Sequence, residues 1–213
     1  MPLVHSENIT NSCRLLVWQL TETEEELRKE LPASADLVEL SSISHPQKKR
    51  EWMAGRIVLA QIVAESGEAF KGTWKDEHGK PFLVDSTQHV SLTHTFDYVA
   101  AVLHPTLPVG IDIEKKHDKL IRTAPKYLNE SELLAAQNSL PILCSYWCGK
   151  EALYKLNGRN KVSFRHNIEI ETFKESTKVL TGTLQDSNQQ IKADLHVRWF
   201  GEYCLVVAVH ECP

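Results

Sequence analysis

The chain of 213 residues has no apolar run approaching the roughly 18 to 20 residues that a membrane-spanning helix needs. Its opening, MPLVHSENIT, carries neither the cationic nor the apolar part of a secretory signal, so a cytoplasmic protein with no membrane partner is expected. An excess of charge is missing too: 24 Lys+Arg against 28 Asp+Glu leave a net charge of -4, too little field to hold a polyanion, and no nucleic-acid partner is expected. The five cysteines, Cys13, Cys144, Cys148, Cys204 and Cys212, form no C-x-x-C, which argues against a disulfide framework or zinc ribbon. Cys144 and Cys148 stand four apart in a predicted helix and could share a face, but no second pair completes a tetrahedral site, and they read as core thiols. None of the ten histidines falls in H-E-x-x-H, which removes the zincin reading.

What is present is enough apolar residue, 42% of the chain, for a sizeable core. Residues 15–18 read as a buried strand and 23–31, dense in Glu and Leu, as a short helix stopped by Pro32. Apolar residues recur at helical spacing over 46–65, with Gly67 as the stop signal. Strands are predicted over 81–84, 90–95 and 98–104, the last two as a hairpin. A second series follows: a strand over 109–114, a helix capped by Asn129 with Glu132 three residues on, and a helix over 142–156 entered at Pro141 and closed by Gly158. Four segments rich in β-branched and aromatic residues, 168–173, 179–184, 191–199 and 203–210, then predict an antiparallel meander. The fold class is therefore α+β. Two similar α+β halves, 1–105 and 106–213, packed as a pseudo-dimer, and a single α+β domain with coincidental order fit the pattern equally.

In Val109-Gly110-Ile111-Asp112-Ile113-Glu114, strand alternation sends the three β-branched residues to one face and Asp112 and Glu114 to the other. Paired carboxylates repel unless a proton or cation neutralises them, so a divalent metal is a natural occupant, although a lone D-x-E is more often a solvated strand face. In Trp147-Cys148-Gly149-Lys150-Glu151-Ala152-Leu153-Tyr154-Lys155, the spacing of four aligns Trp147, Glu151 and Lys155 on one stripe. Taken alone, the Glu151 and Lys155 pair reads as an ordinary surface ion pair.

Together V-G-I-D-I-E and W-C-G-K-E-A-L-Y-K resemble the two-part signature of the 4'-phosphopantetheinyl transferases, [VI]-G-[IV]-D-[IV] and [FW]-x-x-K-E-[AS]-x-x-K. His78-Gly79-Lys80-Pro81-Phe82 resembles the family's G-K-P element, and Ser91-Leu92-Thr93-His94-Thr95 resembles its N-x-S-H-S strand, with Ser91 in place of the asparagine and threonines for the flanking serines. Arg50 and the Gly55-Arg56 pair resemble a further recurring feature. The ordered elements run from Arg50 to Lys155, about half the chain, and the two-half order resembles the surfactin-type, pseudo-dimeric subgroup.

The resemblance implies transfer of the phosphopantetheine arm of coenzyme A to a serine of an apo acyl or peptidyl carrier protein, releasing adenosine 3',5'-bisphosphate. It implies a holo-carrier-protein synthase in which Asp112, Glu114 and Glu151 hold Mg²⁺ or Mn²⁺, and in which Asp112, Glu151 and Lys155 are the catalytic set. The general base is Glu151 or a metal-bound water steered by Glu114. Lys155, and Lys150 as a second candidate, would contact phosphate. Arg50, Arg56, Thr93 and His94 would bind the 3'-phosphate or pyrophosphate, and Gly79, Lys80 and Pro81 would lie along the adenine; without the motif His94 would read as a core histidine. The basic run 115–119 is a candidate docking edge for the carrier, or a solvated loop. A monomer is expected, since a pseudo-dimer supplies its interface within one chain. The alternatives are a coenzyme A or nucleotide-binding module without transferase activity and a metal-dependent phosphodiesterase.

Overall fold

The computed structural model describes residues 3–158, 161–187 and 189–210, and the chain divides into two compact units, Met1–Thr106 and Leu107–Pro213. Cys212 lies outside the described residues.

In the first unit, strands β1 (Leu3–Asn8) and β2 (Arg14–Gln19) lead into helices α1 (Glu24–Glu30), α2 (Leu37–Ser42) and α3 (Pro46–Glu65). Strands β3 (Thr73–Lys75), β4 (Pro81–Leu83), β5 (His89–His94) and β6 (Tyr98–His104) follow. β1, β2, β6 and β5 form one antiparallel sheet in that order, with β3 and β4 as a separate ribbon. Local chemistry fixes the helix ends. The Thr23 hydroxyl and the Glu26 carboxylate close a reciprocal capping box on α1, and the Asp36 carboxylate accepts from the Val38 and Glu39 amides to start α2. Pro46 opens α3, where a missing amide costs nothing. Met53, Ala54, Ile57, Val58, Ile62 and Val63 of α3 are buried against Leu16 and Trp18 of β2 and Val99 and Ala101 of β6, forming the core of this unit.

The second unit repeats the order strand, helices, strands. β7 (Val109–Lys115) is followed by α4 (Lys119–Tyr127), α5 (Glu130–Ala136), α6 (Leu140–Leu156) and α7 (Phe164–Asn167). β8 (Ile168–Ile170), β9 (Val179–Gln185), β10 (Gln190–Phe200) and β11 (Tyr203–His210) then run as an antiparallel meander whose last strand pairs with β7. The capping box at Asn129 and Glu132 is present on α5. Helix α6 buries Leu143, Cys144, Tyr146, Cys148, Ala152 and Leu153 against this sheet. The fold is thus α+β with two similarly organised sheet and helix halves.

The sequence does not announce β1, α2, β3, α4 or α7. β1 alternates between half-buried and exposed positions, and its polar residues give little of the apolar pattern that marks a strand. α2 is only six residues long, and α4 carries Pro125 within it, which reads as a break. In the run 115–119, Lys115 ends β7, Lys119 begins α4, and residues 116–118 form the loop between them.

Candidate active site

The site of the second unit is built by one close crossing. Val109, Ile111 and Ile113 of β7 are fully buried, while Gly110, Asp112 and Glu114 alternate onto the other face. A Cβ placed at Gly110 would lie 1.9 Å from the Ala152 carbonyl oxygen and 2.7 Å from the Leu156 amide nitrogen, so α6 passes directly over this residue. No other side chain would allow that approach. The crossing brings Lys155 of α6 beside Asp112, with Nζ 2.7 Å from Oδ1, and Lys155 also donates to the Ile111 carbonyl at 2.9 Å. The strand motif and the helix motif are therefore halves of one arrangement, and Asp112, at 6% exposure, is no solvated strand residue.

Glu114 lies two residues further along the same face and accepts a hydrogen bond from the Trp147 indole at 3.4 Å. Burial and the neighbouring Asp112 charge push its carboxyl above the usual range. Glu114 and Glu151 line a common cavity of about 1090 Å³. One wall is aromatic: Trp147 packs edge-on against Tyr127 at 4.9 Å between centroids, and Phe164 lies 5.8 Å from Trp147 and 5.3 Å from Tyr154. Lys115, Lys119, Lys126 and Lys161 line it as well. The cavity can hold an extended chain with one apolar and one anionic part. Trp147 thus packs between Tyr127 of α4 and Phe164 of α7 and also faces this cavity.

The donor chemistry fits a hard divalent cation, since Asp112, Glu114 and Glu151 offer carboxylate oxygens. Among the described residues, however, the group of His, Cys, Asp or Glu whose ligand atoms gather within 4.8 Å is Cys144, Cys148 and Cys204. The three carboxylates are spread more widely than that, with the Lys155 ammonium standing against Asp112.

Lys150 corrects the expectation of a phosphate contact. Its side chain is fully buried, and Nζ donates to Glu132 at 2.6 Å and to the Phe164 and Ile168 carbonyls at 2.9 and 2.6 Å. All three ammonium protons are thereby used. Burial lowers its pKa, opposed by Glu132. Glu132 in turn accepts from the Ile170 amide and, as part of its cap, from the Asn129 amide, both at 2.9 Å. Lys150 thus ties α6 to α5, α7 and β8. Gly149 beside it leaves room for the sheet: a Cβ there would meet Ile170 Cδ1 at 2.7 Å.

In the first unit, the predicted groups sit in separate surroundings. Arg50 donates to the Glu22 and Leu20 carbonyls at 2.8 and 3.4 Å and to Gln47 at 3.1 Å. Arg56 is buried, 4.5 Å over the Trp52 ring and 3.0 Å from Glu39, which also receives Lys75 at 2.6 Å. Burial pulls the Glu39 carboxyl up, and the Lys75 hydrogen bond with its neighbours outweighs it and holds the carboxyl low. Gly79, at φ +79°, makes the turn that presents Lys80 and Pro81, with the Asp76 carboxylate accepting from the Lys80 amide at 2.8 Å. Thr93 is buried, and His94 projects to solvent rather than into the core, 3.1 Å from the carboxylate of Glu51. Glu51 also receives Lys48 at 2.6 Å and Gln47 at 3.2 Å, which makes it the centre of this cluster. Glu39, Glu51, Glu132 and the aromatic wall were invisible as site residues; of these only the capping spacing marked Glu132.

Residues 108–208 match the 4'-phosphopantetheinyl transferase superfamily, described as ACPS. Over 90 residues the chain is 34% identical to the 4'-phosphopantetheinyl transferase gsp of Aneurinibacillus migulanus, a stretch covering 40% of this chain and 37% of that protein. The chain therefore spans well under half the length of this curated relative.

Proposed function

We propose that this chain, whose residues 108–208 match the 4'-phosphopantetheinyl transferase superfamily, moves the phosphopantetheine arm of coenzyme A onto a serine of an apo acyl or peptidyl carrier protein. The observation that carries this reading is the cavity that Glu114 and Glu151 line together with the aromatic cluster and four lysines. An aromatic wall suits the pantetheine arm and lysines suit phosphate, and the carboxylates suit the proton and charge movements of phosphoryl transfer. The serine oxygen would bond to the phosphorus that carries the arm while the pyrophosphate bridge breaks, so that adenosine 3',5'-bisphosphate leaves with the bridging oxygen.

In that reaction Glu151 accepts the serine proton, and Lys155 places a positive charge against a phosphate oxygen while Asp112 fixes its direction. Asp112, Glu114 and Glu151 would hold Mg²⁺ or Mn²⁺, which when bound supplies charge stabilisation to the leaving phosphate. Arg50, Arg56, Thr93 and His94 are assigned to the phosphates of coenzyme A, and Gly79, Lys80 and Pro81 to its adenine, on the motif resemblance. Arg56 would exchange its Glu39 partner for phosphate. Lys115 and Lys119 would form the docking edge for the acidic carrier. We assign a surfactin-type architecture and a monomeric, cytoplasmic enzyme; elution as a persistent dimer across concentrations would overturn the monomer. Among the described residues no helix is long and apolar enough to cross a membrane.

The test is intact mass spectrometry of an apo carrier protein incubated with this chain, coenzyme A and MgCl₂, beside an EDTA control. A gain of one phosphopantetheine arm that vanishes with EDTA is the expected result. The ion pair of Lys155 with Asp112 favours a second reading, a coenzyme A-binding module without turnover. Calorimetric binding of coenzyme A with no mass gain on acyl or peptidyl carriers would establish that reading instead.

A further inference from the structure

Beside the carboxylates, on the face of the sheet that α6 covers, lies a second cluster that the transfer reaction does not use. Cys144 and Cys148 are one turn apart on α6, and Cys204 comes from β11, where it pairs in register with Glu114. The three thiols are free and fully buried, and their sulfur atoms lie within 4.8 Å of one another. Cys144 donates weakly to the Glu114 carbonyl at 3.6 Å, Cys148 to the Cys204 carbonyl at 3.4 Å, and Ser145 Oγ stands 3.6 Å from Cys204 Sγ. Three sulfurs bound at about 2.3 Å to a pyramidal trivalent arsenic lie about 3.5 Å apart, so sulfurs that already lie within 4.8 Å of one another need draw together by no more than about 1.3 Å.

We propose that Cys144, Cys148 and Cys204 form a three-sulfur site for a trivalent thiophilic metalloid of the arsenic(III) class. Charge decides among the candidate ions. Three thiolates around Cu(I) carry two net negative charges and around Zn²⁺ one, and a dry interior penalises either. A trivalent ion gives a neutral complex. Arsenous acid reacts with three thiols so that each arsenic–oxygen bond is replaced by an arsenic–sulfur bond, and each thiol proton leaves on a hydroxide as water. Three waters are released, and no electron is transferred. The neutral acid enters through local opening of the sheet and helix, so that loading is slow beside that of an exposed thiol.

The test uses the intact chain and sodium arsenite, with ZnCl₂ in a parallel arm, read by native mass spectrometry after equilibration. The expected product is one arsenic atom per chain with three protons lost. Of the five cysteines, two then remain open to a thiol reagent that acts on the unfolded, quenched sample. Cys204→Ala should lose this complex, and the wild-type proton count stands even if that variant folds poorly. Loss of only two protons, the same complex in Cys204→Ala, or zinc bound while arsenite is excluded would each overturn the proposal.

Discussion

The first unit lays α3 on β2, β5 and β6 and leaves its charge pairs at the water's edge, whereas the second lays α6 on β7 and β11 and takes charge inside. Every ion pair of α3 has one member with substantial exposure: Glu51 is 5% exposed but Lys48 is 59%, and Arg56 is 8% exposed but Glu39 is 31%. In the second unit Lys150 and Glu132 are both enclosed, and Lys155 and Asp112 nearly so. Removing two charges from water costs several kcal/mol each unless the pairing geometry is good. The second unit therefore keeps a polar interior in which Lys150 and Glu132 join α6 to α5, α7 and β8, and Phe164, whose carbonyl accepts from Lys150, also lines the cavity carrying Glu114 and Glu151.

The largest expected effect that separates the two units is at Glu132. Glu132→Ala leaves the Lys150 ammonium buried without its counter-charge and should cost about 3–5 kcal/mol in guanidinium denaturation. The joint replacement Lys150→Met with Glu132→Leu should recover much of that loss. Lys48→Ala, which removes an edge-of-water partner in the first unit, should cost no more than about 1 kcal/mol. Equal costs at the two positions would erase the contrast.

The glycines sharpen it at a smaller scale. Gly110→Ala forces a methyl into helix backbone that cannot swing away, and a loss of about 1–3 kcal/mol or more is expected in the same denaturation experiment. Gly55→Ala in α3 meets only the tip of Leu92, at 2.9 Å, which can turn. The gain of about 1 kcal/mol in helix propensity then offsets most of the crowding, and the midpoint should hardly move.

The smallest effect is a pH dependence of the first unit. His104 is buried in β6 opposite His89, and Nδ1 accepts the Thr106 amide at 3.2 Å. Burial and then the His89 charge lower its pKa below 6.5. A group with a depressed folded pKa favours the neutral form in the native state. Stability is therefore complete above pH 6.5 and declines as the pH falls from there toward the folded value. Urea titrations between pH 7.5 and 5 should show this decline, and His104→Gln should flatten it. An unchanged slope in the variant would assign the effect elsewhere.

The reach of the sequence follows the range of the forces that set each feature. Residues 46–65 were readable as a helix because Pro46 and the turn after Glu65 fix both ends locally, and the α5 cap was readable for the same reason. The hairpin of β5 and β6 and the final meander were readable because alternation and turn residues lie within a few positions of each other. Short or polar elements such as α2 and β1 form because the tertiary structure supports them, and carry little local pattern. At the site, the two motifs marked Asp112, Glu114, Glu151 and Lys155, but only the crossing at Gly110 explains why the motifs belong together. The structural part played by Lys150 depends on Glu132, Phe164 and Ile168, and the third thiol on a strand more than fifty residues from Cys148. None of these is a spacing that a one-dimensional reading can find.

The most direct measurement of the central claim is the rate of carrier modification by Glu151→Gln, set beside coenzyme A affinity and the denaturation midpoint of the same preparation. A fall in rate of about 10²- to 10⁴-fold, with affinity and midpoint near those of the parent, is the result expected of a group that takes the serine proton. A rate equal to that of the parent would contradict the placement of the reaction in this cavity.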